Sequence, residues 1–398
     1  MEKSSDIFTA YFPLYLITLC LGYAPYRIVE NPGSRYFTIW KSYIIISSVF
    51  QAFMVIYLNY SWLHWIKGLA PTSLLFQLGE IALHIANHLA VTTQMILSKL
   101  YANNFIQVFN RLYRIELTLK HKFETEIPYH KIIFISTSVI FISNFLDIFE
   151  LIHIMGDALA NGQYERLLTM MCVIYFILSV QIIRGQFLNG VLIYRFLFTE
   201  TRNYLTRRLS SLSPHIFINK ADEAICVEIL KESSGIYQDL CENLQQFNRL
   251  LSVQLLFDFA CDYFQICISA FAWILWFNLE GWNNESYSNV VLESACIFLA
   301  TILKLLASTI TSHLCTNEMS QLSRFLNQIS ALKSSKVKRE VHNFALQLLH
   351  EKIEFTAAGF FDIDVKVIFS VAATVTTYTI LLVQFDPKLN LARIFPRF

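Results

Sequence analysis

Apolar residues in this chain run rather than alternate. Seven long runs stand out, at 38–59, 73–98, 132–155, 168–197, 252–278, 290–314 and 365–386. Each holds the ~20 residues that an α-helix needs to cross a hydrocarbon core of ~30 Å. The fourth is longer than a bilayer requires and projects beyond it. Between the runs the pattern changes period. Ile236, Leu240, Leu244, Phe247 and Leu251 recur every three or four positions, as do Leu322, Phe325, Ile329 and Leu332, and then Val337, Val341, Phe344 and Leu348. Such stripes predict amphipathic helices that each bury one face. Their polar faces mix acids with bases, which favours a helical bundle continuing the spans over helices lying flat on a leaflet. An eighth run, 7–24, is interrupted by Pro13 and Gly22. It predicts a membrane-embedded helix that does not cross. A signal peptide is the alternative, weakened by Asp6 and the lack of a clear A-x-A site.

Composition changes the picture only by excluding soluble classes. The chain is 55% hydrophobic and 15% charged, with a mean hydropathy of +0.46, so lipid is its solvent. A net charge of +1 gives no basis for a nucleic-acid partner. Lys and Arg set the orientation, because cytoplasmic connections retain them. They gather after the second run (Lys99, Arg111, Arg114, Lys120, Lys122, Lys131), after the fourth (Arg195 to Arg249) and after the sixth (Arg324 to Lys352). The expectation is an all-α membrane protein of seven transmembrane helices, with the N-terminus inside and the C-terminus outside. It divides as 1–37, N-terminal segment with the non-crossing helix; 38–198, spans one to four; 199–251, cytoplasmic helices; 252–314, spans five and six; 315–364, a cytoplasmic anchor region; 365–386, the last span; and 387–398, an extracellular tail. The glycosylation sequons at Asn59 and Asn284 fall in connections assigned outside. This orientation is opposite to that of a G-protein-coupled receptor.

Ionisable groups inside spans are costly and mark a cavity or a partner helix. Glu80, His84 and His88 step by four, with Asn87 adjoining, so they share one face of the second span. Asn144, Asp147, Glu150 and His153 step by three along the third span. The fifth carries Asp258, Asp262 and Gln265, followed by Trp273 and Trp276, and Arg184 and Lys304 are candidate counter-charges. Two readings stand. Acids, imidazoles and aromatics can line a pocket for a small polar or amphipathic ligand, or they can pair and hold helices together. The His84–His88 spacing is that of two metal ligands, but nothing completes a metal set, and no metal or other cofactor is expected. Catalytic motifs such as G-x-S-x-G or a P-loop are absent from the sequence, which reads as no enzyme.

The last span carries a polar stripe: Ser370, Thr374, Thr377, Leu381 and Gln384, spaced four, three, four and three. In a lone chain it would pack inward. In a ring of subunits it would line a shared axis, where hydroxyls replace ion hydration and apolar rings close the path by dewetting. Gln384, Phe385 and Asp386 would then stand at the mouth, where carboxylates favour cations.

Thr377-Tyr378, five residues, then Gln384-Phe385 resembles the TY-x5-QF signature that closes the last span of insect gustatory receptors. FTAAGFFDID, Phe355 to Asp364, is similar to the segment leading into that span in the same family. The resemblance implies a tetrameric, ligand-gated, non-selective cation channel related to insect odorant receptors, in the plasma membrane of sensory-neuron dendrites. It implies a pore lined by the last span, with Gln384 and Phe385 at the gate, and one pocket per subunit for a small-molecule tastant. It implies a homotetramer, or a hetero-oligomer with other gustatory receptors. The sugar-sensing branch carries Glu directly after the TY pair; here Thr379 stands there. That disfavours the sugar branch; a bitter or aversive compound, the most numerous group in the family, is the expected ligand, with fructose or carbon dioxide as alternatives. A metabotropic heptahelical receptor would need the opposite orientation, and a transporter lacks an internal repeat.

Overall fold

A computed structural model describes residues 6–31, 34–67, 74–123, 127, 129–162, 164–212, 220–278, 285–329, 334–351 and 353–386. Helix α1 (Ile7–Cys20) leads into an antiparallel hairpin, β1 (Tyr26–Asn31) and β2 (Ser34–Ile39). Then follow α2 (Lys41–Lys67), α3 (Leu74–Leu100), α4 (Ala102–Phe123), α5 (Tyr129–Ala160), α6 (Tyr164–Leu212), α7 (Lys220–Asn278), α8 (Glu285–Ile329) and α9 (Ser335–His350). A second small hairpin, β3 (Thr356–Ala357) and β4 (Phe361–Asp362), precedes α10 (Val365–Phe385).

Each of the seven apolar runs coincides in the main with one helix, α2, α3, α5, α6, α7, α8 and α10 in turn, although the first begins in β2, before α2. Among the described residues, six of these are long and apolar enough to cross a membrane, all but α5. The architecture is that of a mostly helical membrane protein. Its helices are longer than the apolar runs, because α6, α7 and α8 contain no proline and their flanking stripes continue in phase. The stripe Ile236, Leu240, Leu244, Phe247 and Leu251 therefore belongs to the same helix as the fifth run, and all five side chains are buried. Val337, Val341, Phe344 and Leu348 bury the face of α9, whose first turn is capped by Ser334 accepting from Val337 N at 3.3 Å. The expected loop position of Asn59 is corrected: it lies inside α2, exposed, its Nδ2 donating to the Val55 carbonyl at 2.8 Å. Residues 60–67 contain no helix breaker, so α2 continues past the apolar run. Asn284 lies outside the described residues.

The core sits where α6 and α7 cross. Gly190 lets them approach: a Cβ there would come within 2.2 Å of Phe247 Cζ. Helix α1 is about 21 Å long at 1.5 Å per residue, shorter than a hydrocarbon core. It buries Ile7, Phe8, Tyr11, Leu14 and Tyr15, with Phe8 and Tyr11 against rings of α4. Asp6 caps it, accepting from Thr9 N at 2.9 Å and pairing with Arg35 at 3.1 Å. Phe37 of β2 is pinned to α4 by Asn110, which accepts from Phe37 N at 2.9 Å and donates to its carbonyl at 3.2 Å.

Candidate functional site

The entry to α10 is built by the FTAAGFFDID segment. Thr356 and Ala357 pair with Phe361 and Asp362, and the turn needs positive φ at Ala358 (51°) and Gly359 (75°). Ile363 N donates to the Phe355 carbonyl at 2.6 Å, closing the hairpin. Phe355 packs edge-on against Phe187 of α6, and Phe361 against Phe259 of α7. Asp364 then caps α10, accepting from Lys366 N at 2.8 Å. A rigid turn anchored on the α6–α7 core thus fixes where the last helix starts.

Two opposite faces define α10. Val375, Thr379 and Val383 are buried. Val375 packs with Ile266 and Cys267 of α7, and Val383 with Phe271. At about 100° per residue, Ser370, Thr374, Thr377, Leu381 and Gln384 fall within a sector of about 80° on the other side. All five are exposed, as is Phe385 at 74%. The hydroxyl protons turn back along the helix: Thr374 donates to the Ser370 carbonyl at 2.7 Å and Thr377 to Ala373 at 2.9 Å. With those protons engaged, the oxygen lone pairs face outward. Asp386 departs from the stripe, because it is buried (3%) rather than standing at an open mouth. Tyr378 lies beside the stripe, half exposed, edge-on to Tyr263 of α7.

The expected pocket residues are brought together only in part. Glu80, His84 and His88 are half-buried on α3. The two imidazole rings lie 4.2 Å apart, and His88 is 4.8 Å from the Phe176 ring of α6. On α7, Gln265 donates to Ser269 Oγ at 3.3 Å, and Trp273 lies 5.6 Å from the Phe298 ring of α8. Asp262 is committed elsewhere. It and Asp258 clamp the buried Arg184 of α6, with Arg184 Nε donating to Asp258 Oδ2 at 2.8 Å and Nη1 donating to Asp262. The guanidinium also lies 4.8 Å over the Phe259 ring. For these residues the helix-gluing reading holds. The side chains of Asn144, Asp147, Glu150, His153 and Trp276 lie outside the described residues.

Sequence reasoning missed α4. Its stripe of Phe105, Val108, Phe109, Leu112, Ile115, Leu119 and Phe123 has helical spacing and is buried. On the same face, Glu116 is fully buried. It accepts from Ile7 N at 3.2 Å and from the Tyr129 hydroxyl, and it pairs with Lys120 at 2.7 Å. Burial raises its carboxyl above the ordinary range, although Lys120, Tyr129 and the Ile7 amide all favour the charged form.

Long apolar helices, a pinned last helix and its exposed polar stripe define a multi-span membrane protein, and comparison with known proteins narrows the class. The 7tm chemosensory receptor family model matches residues 11–389. In Drosophila melanogaster, the protein bearing the gustatory receptor name 28b is 31% identical over 44% of this chain and 37% of its own length. Gustatory receptor 68a is 23% identical over 50% of this chain and 52% of its own. The chain thus spans about half, or less, of these curated relatives. The insect olfactory receptor OR5 of Machilis hrabei superposes with a TM-score of 0.68, covering 94% of this chain and 97% of that one at 12% identity. The same receptor in complex with eugenol gives 0.65. At that identity the likeness concerns the fold. This chain belongs to the 7tm chemosensory receptor family, on its insect gustatory receptor side. That is not an enzyme family.

Proposed function

We propose that this chain is a subunit of a ligand-gated, non-selective cation channel that detects a chemical tastant, with α10 lining the permeation path. The reading rests on one observation above all. The face of α10 carrying Ser370, Thr374, Thr377, Leu381 and Gln384 is exposed in the single chain, opposite the face that packs on α7. An exposed stripe of hydroxyls in a membrane helix wants water or a polar partner, and a ring of copies around an axis supplies one. Oxygen lone pairs turned outward favour cations, while Leu381 and Phe385 supply the apolar constriction. The assembly is a homotetramer, or a tetramer with other gustatory receptors, in the plasma membrane of a sensory dendrite. The ligand is a small molecule of the bitter or aversive kind, taken up among α3, α5, α6 and α7 near Glu80, His84, His88, Gln265 and Trp273. OR5 in complex with eugenol supports a small organic ligand in this fold.

The test is whole-cell recording from cells expressing the chain, with bitter alkaloids, sugars and carbonated buffer applied and internal GDP-β-S present. A ligand-evoked cation current is expected, with gating or permeation altered by Gln384→Ala and Phe385→Ala at unchanged surface level. A current lost with GDP-β-S, or unchanged in both variants, overturns the reading.

A further inference from the structure

The hairpin that starts α10 rests on two aromatic seats, and both flank one buried charge cluster. Phe355, at its base, stands edge-on 5.7 Å from Phe187 of α6, on the same helix as Arg184 and within one turn of it. Phe361 of β4 stands at 77° to Phe259 of α7 with the ring centres 5.6 Å apart, and Phe259 directly follows Asp258. Arg184 Nε donates to Asp258 Oδ2 at 2.8 Å and Nη1 donates to Asp262. The clamp therefore joins α6 and α7 within about one helical turn of both seats.

Phe259 is the side chain that cluster and hairpin share. It is buried, and its ring lies 4.8 Å under the Arg184 guanidinium. A cation held over a ring face is attracted by the ring quadrupole, most strongly where water is excluded. The same ring meets Phe361 in the T-shaped arrangement that aromatic pairs favour. From Phe361 the chain has little freedom before α10. Ala357 pairs with Phe361, Ile363 N donates to the Phe355 carbonyl at 2.6 Å, and Asp364 N donates to the Asp362 carbonyl at 3.0 Å. Asp364 then accepts from Lys366 N at 2.8 Å, in the first turn of α10. The tip residue Phe360 is 78% exposed, so the hairpin is held by its base.

We propose that Phe259 is a positioning residue, which carries the placement of the Arg184–Asp258–Asp262 clamp to the hairpin and so sets where α10 begins. A shift of α6 against α7 moves the guanidinium, the Phe259 ring follows it, and Phe361 takes the hairpin and the first turn of α10 along. Packed side chains and an ion pair in unbroken contact are the kind of network that carries energetic coupling. Helix α7 also bears Gln265 and Trp273 of the candidate pocket, about 9 and 21 Å beyond Phe259 at 1.5 Å per residue. One helix thus faces both the candidate ligand residues and the seat of the last helix. The consequence for ion current rests on the channel reading of α10; the coupling itself does not.

The test is hydrogen–deuterium exchange, read by mass spectrometry on the purified full chain in detergent micelles. Phe361→Leu and Phe259→Leu should each speed exchange in residues 355–371 by about two- to tenfold, the range for one lost aromatic pair. Exchange in α4 should not change. Phe361→Tyr keeps the ring at a half-buried site and should restore the slow rate. Arg184→Lys keeps a charge for both aspartates but gives up the planar face. Among the described residues its side-chain hydrogen bonds go to those aspartates, not to the hairpin. It should nevertheless speed exchange in 355–371, and add nothing further in a Phe259→Leu background. A rate unchanged by Phe361→Leu or by Arg184→Lys overturns the proposal, as does an Arg184→Lys effect that adds in full to that of Phe259→Leu. In planar bilayers Phe361→Leu should change the spontaneous open fraction by a factor of about two to ten at unchanged single-channel conductance. No openings from the unmodified chain would count against the channel reading, while exchange still decides the coupling.

Discussion

Arg184 of α6 and Asp258 of α7 are joined by a 2.8 Å hydrogen bond in which both side chains are buried, and Asp262 closes the clamp from the next turn. A buried charge is tolerable only while it is paired. Arg184→Met strands two carboxylates and should cost about 3–5 kcal/mol, enough to abolish recovery of folded protein. Arg184→Met with Asp258→Leu and Asp262→Leu removes the charges together and should restore much of it. Fluorescence-detected size exclusion of the single and triple variants checks this. Equal losses in both would show that the three residues do not act as one cluster.

Gly190 and Phe247 set the separation of α6 and α7. A methyl group at 190 would meet three ring atoms of Phe247 at under 3 Å, and both helices are too long and too well buried there to part. Gly190→Ala should therefore destabilise the fold by about 1–3 kcal/mol of overpacking, read as a lower thermal midpoint. Gly190→Ala with Phe247→Leu should recover part of the loss. By contrast, Gly156 and Gly235 lie inside helices with open space around them, so alanine at either is expected to raise the midpoint slightly.

Glu116 gives the fold a pH dependence of definite sign. Burial holds its carboxyl above the ordinary value of 4.5. Between that value and the raised one, the folded chain keeps a proton that the unfolded chain releases. Stability from this group therefore falls as pH rises through the window. Glu116→Gln retains an acceptor for Ile7 N and Tyr129 but does not titrate. Thermal midpoints across pH ~4 to ~8 should decline more steeply for the unmodified chain than for the variant. Parallel curves would show that Glu116 does not titrate in that range.

These three sites were unequally legible. The apolar runs marked α2, α3, α5, α6, α7, α8 and α10 because lipid demands continuous apolar surface, so the membrane architecture could be read directly. Helix ends could not. Hydropathy falls at residue 251 or 314, but the helix has no reason to stop while its stripe stays in phase and no proline intervenes. Arg184 and the two Asp residues were visible as candidate partners, since an isolated charge in a span is expensive. Their mutual pairing needed the rotation of α6 against α7, which no local pattern encodes. Glu116 lay in a stretch that its lysines and arginines marked as a connection, and that basic signal masked the equally regular stripe of α4. The β3–β4 hairpin turns at Ala358-Gly359, where the glycine carries a φ preference but no hydrophobic period announces the strands. The stripe on α10 was legible from spacing alone, because a helix of known pitch makes positions four and three apart coincide.

That spacing also yields the sharpest test of α10. If its exposed face lines a water-filled path, cysteines placed there should react with a charged methanethiosulfonate reagent added to open channels, and the current should fall. Substitutions at Ser370, Thr374, Thr377, Leu381 and Gln384 are expected to be modified, and those at Val375, Thr379 and Val383 to be protected, because these three are buried, Val375 against α7 and α8 and Val383 against Phe271 of α7. The native cysteines set the background. Most are buried, and Cys20 on α1 is the exposed one, so Cys20→Ser is the proper starting chain. Order along the helix carries further information. A reagent added from outside should reach Thr374 only in open channels if Leu381 and Phe385 form the constriction, because Thr374 lies inward of both. Modification that ignores the two faces, or that reaches Val375 as readily as Thr374, would remove α10 from the path and leave its polar stripe as a helix-packing surface.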